Sequence, residues 1–180
     1  MHENAQDLEV LQEVLDRTYQ SAGAHVRNIH TPERRVSAVD VARILRGVRV
    51  LHLATVTAGC EPRVSPVDGL FYRGAFWFGS AHDSLRFRHL RARPAVSASH
   101  AVGETFAVIV HGRAIEVDVA APDQRGFRDY VLEVYPDWLT WYPGDPPPYA
   151  RIEPERMFAY AFEPQVLARL LVEGERDPEI

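Results

Sequence analysis

The chain has no lysine: all 20 residues of its lysine-plus-arginine total are arginine. That absence removes any mechanism built on a lysine amine, Schiff-base chemistry included. Cysteine is nearly as scarce. Cys60 stands alone, so neither an internal disulfide nor a thiolate metal cluster can form. No apolar run approaches the ~20 residues of a membrane-spanning helix. The opening "MHENAQDLEV" lacks the basic start and apolar stretch of a secretory signal, so a cytoplasmic protein with no membrane partner is expected. A net charge of −5 gives no global pull on nucleic acid. Internal repeats are absent, and the one low-complexity stretch is the triple proline at 146–148. What remains is a 180-residue chain that is 46% hydrophobic, enough for one domain with its own core.

Hydrophobic periodicity orders the chain. Leu8, Leu11, Leu15 and Tyr19, with Val14 beside them, predict an amphipathic helix over 5–21. A connector punctuated by Pro32 follows. "SAVDVARILRG" then offers Ser37 as an N-cap and Gly47 as a stop. From Val48 the period becomes that of strands: "VRVLHLATVT", a turn at "AGCE", then "PRVSPVDG", whose prolines predict an edge or bulge. "LFYRGAFWFGS" reads as two aromatic strands joined at Arg73-Gly74. A helix from Ser84 to about Ala92 follows. Two further strands come next, the second interrupted at Gly112. A helix over about 122–135, a proline-rich loop "PDWLTWYPGDPPPYARIEPE" and a last strand "RMFAYAF" complete the order. Six or seven antiparallel strands with few helices predict a small closed barrel of α+β class, mainly β.

The stretch "FGSAHDSLRFRHLRARPAVSAS" crowds Arg86, Arg88, Arg91 and Arg93 onto one short helix. Three readings are open: a solvated helix face, a nucleic-acid patch, and a cradle for one anionic ligand. The aromatics nearby look buried in strands rather than interleaved for base stacking. Arg86 in the first turn opposes the helix dipole and calls for a compensating anion. A phosphate there would meet first-turn N–H groups, the Ser80 and Ser84 hydroxyls and a guanidinium fork.

The run "LATVTAGCEPRVSPVDGLFYRGAFWFGSAHDSLRFRHLRARPAVSAS…VIVHGRAIEV" resembles the pyridoxamine 5'-phosphate oxidase-like split-barrel flavoproteins, well over 48–119 and loosely over 122–162. The resemblance implies a six-stranded antiparallel split β-barrel with peripheral helices, a homodimer, and FMN held in clefts between the subunits. It implies that Arg63, Val64, Ser65, Pro66 and Val67 run along the flavin ring and ribityl chain. Gly79 and Ser80 would approach the phosphate, which Ser84 and Arg86 would bind, with Leu85 where the family has a second base. Gly112 would be the small residue near the ring. Asp68 stands where the oxidase has a lysine, and Ala107 where it has a ring-contacting amide. The oxidase's C-terminal substrate signature is missing. These departures argue against pyridoxamine phosphate oxidation and leave an FMN-dependent oxidoreductase acting on a small molecule. The alternatives are a reductase using the deazaflavin coenzyme F-420, with Arg88, Arg91 and Arg93 receiving its acidic tail, and a non-catalytic dimeric ligand-binding barrel. Some members bind haem.

Trp138, Trp141, Tyr142 and Tyr149 sit in the proline-stiffened loop. They pack on the barrel or a partner, or wall a substrate pocket; the pocket is carried by Trp138, Trp141 and Tyr142. His52 and His111 show no metal-ligand spacing, so no metal is expected. Asp83 and Glu104 read as solvated carboxylates, and Cys60 as an inert thiol. The expected organisation is an N-terminal helix and connector over 1–36, a flavin-binding barrel over 37–165, and a tail over 166–180.

Overall fold

The computed structural model describes residues 1–141 and 146–175. At Val48 the helical period gives way to β1 (Val48–Val56), the first of six strands. β2 (Pro62–Tyr72), β3 (Ala75–Gly79), β4 (Ala95–Val102), β5 (Phe106–Val117) and β6 (Tyr149–Ala161) follow. All neighbours are antiparallel, and they close in the order β1-β2-β3-β6-β5-β4. Closure satisfies the sheet edges that an open sheet would leave bare. The β2–β3 hairpin turns on Arg73 and Gly74, whose φ values of 51° and 77° follow the right-handed strand twist.

Two expectations about strands are corrected. "PRVSPVDG" and "LFY" form one 11-residue strand, because Asp68 and Gly69 pair straight through with Val50 and Arg49 of β1 instead of turning. The stretch Tyr149–Glu155, read as loop, is the first half of the 13-residue β6. Pro154 sits opposite Gly112, where a register shift between His111 and Gly112 leaves Glu155 as an extra residue and accommodates the proline. A Cβ on Gly112 would run into the Glu153 carbonyl oxygen and lie 3.2 Å from the Pro154 Cα. The interruption read at Gly112 is thus a β-bulge that brings two backbones together.

The helices are α1 (Ala5–Gln20), α2 (Ala24–Ile29), α3 (Ala38–Ile44), α4 (Leu85–Ala92), α5 (Arg125–Val134), α6 (Trp138–Trp141) and α7 (Pro164–Glu175). α1 opens with a capping box in which the Asn4 side chain accepts from the Asp7 N–H at 2.9 Å and Asp7 accepts from the Asn4 N–H at 3.0 Å. Ser37 caps α3, and Gly47 follows it with a φ of 67°. The segment read as a connector contains α2, and part of the segment read as a tail is α7. Val166 and Leu170 of α7 are buried in the cluster that holds Leu11 and Leu15 of α1 and Phe76 and Val108 of the barrel.

α1 also seals a strand edge. Thr18 Oγ1 accepts from the Met157 N–H at 3.0 Å. Tyr19 Oη accepts from the Ala159 N–H at 3.1 Å and donates to the Ala159 carbonyl at 2.7 Å. β3 covers β6 only at Tyr149–Arg151, so these side chains satisfy backbone groups that the sheet leaves unpaired.

A second cluster fixes one side of the barrel. Phe127, Tyr130 and Val131 of α5 pack on Leu70, Ala75 and Trp77, with the Trp77 and Phe127 rings stacked 4.0 Å apart. This anchor carries the chain beyond α5 to the opening in the barrel wall. Among the described residues no helix is long and apolar enough to cross a membrane.

Candidate functional site

The barrel wall splits where β2 and β3 part. β3 pairs with β2 only over Gly69–Tyr72, so residues 62–68 keep β1 as their one partner. Pro62 and Pro66 fall on this stretch, as prolines in a strand require. α4 lies beside it. Phe87 and Leu90 anchor α4 in the core, and the Ser84 hydroxyl accepts from the Phe87 N–H at 3.2 Å. This N-cap aims the first turn, with its unpaired N–H groups, at the opening.

Arg86 occupies the opening. Its Nη1 donates to Ser80 Oγ at 3.1 Å and its Nη2 to Ser65 Oγ at 3.0 Å. Its Nε is buried and has no partner among the described residues. Burial pushes the guanidinium below its ordinary pKa, and no carboxylate among the described residues offsets that. Leaving a charged donor desolvated and unpaired costs about 1–3 kcal/mol or more. An anion at this point would remove that cost.

Two cavities meet at Ser80 and Arg86. One, of about 350 Å³, is lined by Pro66, Val67, Asp68, Gly79, Tyr135, Trp138, Trp141 and Tyr149 among others. The other, of about 550 Å³, is lined by Thr55, Thr57, Arg63, Val64, Ser65, Ser84, Leu85 and His89. The second carries five hydroxyl side chains and two arginines, and the first carries four aromatic residues beside Asp68, Ser80 and Arg86. At Gly79 the strand admits the Tyr149 ring, because a Cβ there would stand 3.1 Å from it.

The structure therefore brings together Ser65, Pro66, Val67, Gly79, Ser80, Ser84, Leu85 and Arg86, with Trp138 and Trp141 across the first cavity. Arg63 lines the second cavity but is exposed and pairs with Glu61 at 2.7 Å. Val64 and Leu85 are apolar and exposed, at 66% and 63%. Gly112 lines neither cavity; its smallness is accounted for by the bulge against β6. Trp138 is buried and packs in the second core cluster while forming cavity wall, and Trp141 is exposed. Tyr142 lies outside the described residues.

The remaining arginines divide. Arg91 grips Glu116 through two bonds of 2.8 and 2.7 Å and donates to the His82 carbonyl at 3.1 Å. Arg93 donates to the Val56 carbonyl at 3.0 Å. Both are thus engaged within the chain, while Arg88 faces solvent. His89 shares a 3.0 Å hydrogen bond with Thr55 Oγ1 at the wall of the second cavity. His52 is exposed, and His111 bonds Ser97. Among the described residues no group of three His, Cys, Asp or Glu could hold a metal.

Sequence reasoning missed Tyr135. Its hydroxyl is buried without a partner among the described residues, and burial, then the Asp68 carboxylate, hold the phenol well above its ordinary pKa. The signal was present. Phe127, Val131 and Tyr135 recur every four residues, and Tyr135 caps α5 beside the cluster that Phe127 and Val131 enter.

Solved structures share this fold. A conserved hypothetical protein of Mycobacterium tuberculosis superposes with a TM-score of 0.61 at 19% identity, covering 83% of this chain and 93% of that one. The haem storage protein HutZ of Vibrio cholerae gives 0.57 at 20% identity, covering 68% and 92%. A FAD-binding protein of Mesorhizobium loti gives 0.56 at 24% identity, covering 71% and 94%. No family model matches the chain, and no curated protein matches its sequence.

Proposed function

We propose that the chain binds FMN and acts as a split-barrel oxidoreductase on a small molecule. The observation that carries this is Arg86, a half-buried guanidinium with a buried, unpartnered Nε and no carboxylate in reach among the described residues. The residues around it fit a phosphate. Ser65 and Ser80 hold the guanidinium in place, Ser84 fixes the helix start, and Arg86 contributes the charge. The unpaired edge of residues 63–67 supplies backbone donors and acceptors beside it, and Trp138, Trp141 and Pro147 form part of the adjoining wall. A bound flavin would supply hydride transfer, which asks the protein for orientation and electrostatics rather than for a strong acid or base.

That one protein of this fold is FAD-binding is in keeping with the reading. Engagement of Arg91 and Arg93 within the chain favours FMN over the deazaflavin, whose acidic tail would require them free. A homodimer belongs to the same proposal. Exposed Val64 and Leu85 flank the crevice, and a second barrel seated there would bury them and close it. The test is direct: incubate the purified protein with FMN, desalt it, record the visible spectrum, and identify by mass what heat releases. A retained flavin band supports the proposal, and a colourless eluate overturns it.

A further inference from the structure

The aromatic-walled cavity holds two polar groups that phosphate binding does not use. Tyr135 lines it, and its buried hydroxyl has no partner among the described residues. Asp68, on the unpaired stretch of β2, lines the same cavity, and its side chain has no hydrogen bond or ion pair among the described residues. The two are close enough for the carboxylate to disfavour ionisation of the phenol. Tyr135 therefore stays a neutral donor through the physiological range, while a carboxylate can only accept. Around them stand Trp138, Trp141 and Tyr149, with Pro66 and Pro147. At about 350 Å³ the cavity suits one flat ring system.

We propose that Tyr135 and Asp68 form a donor–acceptor pair that recognises the lactam edge of a flat ring, the hydroxyl donating to its carbonyl oxygen and the carboxylate accepting from its N–H. A lactam presents an acceptor beside a donor in one plane and carries no charge, and it meets both groups at once. A ring carboxylate would satisfy Tyr135 but confront Asp68 with a like charge. As a substrate or ring-positioning subsite the pair rests on the flavin reading above; as a binding site it does not. Two molecules could bring such an edge: the flavin itself, through its pyrimidine ring, or a separate lactam substrate.

The probe is carbostyril, a neutral bicyclic lactam, compared with N-methylcarbostyril, which keeps the carbonyl and lacks the N–H. Quenching of tryptophan fluorescence in FMN-free protein reads both. The expected wild-type preference for carbostyril is about tenfold, from loss of a hydrogen bond to a charged group. Tyr135→Phe should weaken both probes about three- to tenfold without changing their ratio. Asp68→Ala should bring the ratio close to one. Circular dichroism and melting verify that each variant is folded. Equal wild-type affinity for the two probes, or a folded Tyr135→Phe variant that binds both as wild type does, overturns the proposal. Repeating the titration with FMN separates the sources. Competition assigns the lactam edge to the flavin, and simultaneous binding assigns it to a substrate. If FMN fails to bind while the carbostyril preference persists, the flavin reading falls and this site stands.

Discussion

Replacing Arg86 with alanine separates a ligand-binding arginine from a structural one. In the protein without ligand, the substitution removes hydrogen bonds of 3.1 and 3.0 Å to two serine hydroxyls. It also removes a half-buried charge that no carboxylate among the described residues compensates. The two effects oppose each other. Both serines lie at the cavity walls, where water can replace the guanidinium. Stability without ligand should therefore change by no more than about 1 kcal/mol, as for substitutions away from a packed core. A bound phosphate alters the balance. Losing a charged hydrogen bond to it costs about 1.5–3 kcal/mol, which weakens FMN binding roughly 10- to 150-fold. The assay is a flavin fluorescence titration of both proteins, paired with thermal melts in the absence and presence of FMN. Unchanged FMN affinity would refute the argument. So would a ligand-free variant several kcal/mol less stable, since Arg86 would then be a structural buttress.

Four further outcomes are expected. Tyr19→Phe leaves the Ala159 N–H without its acceptor and should cost about 1–3 kcal/mol by urea unfolding. Burial raises Tyr19 and Tyr130 from 10.0 to about 12, so between those values the unfolded chain releases protons that the folded chain keeps. Their contribution is full below pH 10.0 and is lost as pH rises toward 12; alkaline melts should reveal this, with a shallower fall in Tyr19→Phe. Gly112→Ala forces a methyl group against the Glu153 carbonyl and should lower stability by about 1–3 kcal/mol in thermal melts. Its folded fraction should retain FMN affinity. Val64→Asp places a charge on an exposed apolar position beside the crevice, and sedimentation should detect dissociation of a dimer. An unaltered sedimentation profile would contradict the interface.

The legible parts of the fold were those governed by local rules. The Ser37 end of α3, the Arg73-Gly74 turn and the edge prolines of β2 each follow from backbone chemistry within a few residues. The first half of β6 was hidden because Pro154 resembles a break. What permits it is the bulge next to it at Glu155, with the small Gly112 opposite on β5. Arg86 could be singled out because a cation in a first helical turn is anomalous by itself. Its unpartnered Nε and the occupation of Arg91 by Glu116 depend on tertiary neighbours that local sequence rules do not specify. Asp68 and Tyr135 are 67 positions apart and meet only because α5 packs on the β2–β3 hairpin.

The central claim is that the barrel opening at Arg86 recognises a phosphoryl group, and comparing FMN with riboflavin tests it most directly. The two share a ring and ribityl chain and differ only in the phosphate. Calorimetric titration of the wild-type protein with each should give FMN an advantage of at least about tenfold, the lower end for one charged hydrogen bond. Equal affinity for riboflavin and FMN would contradict the account.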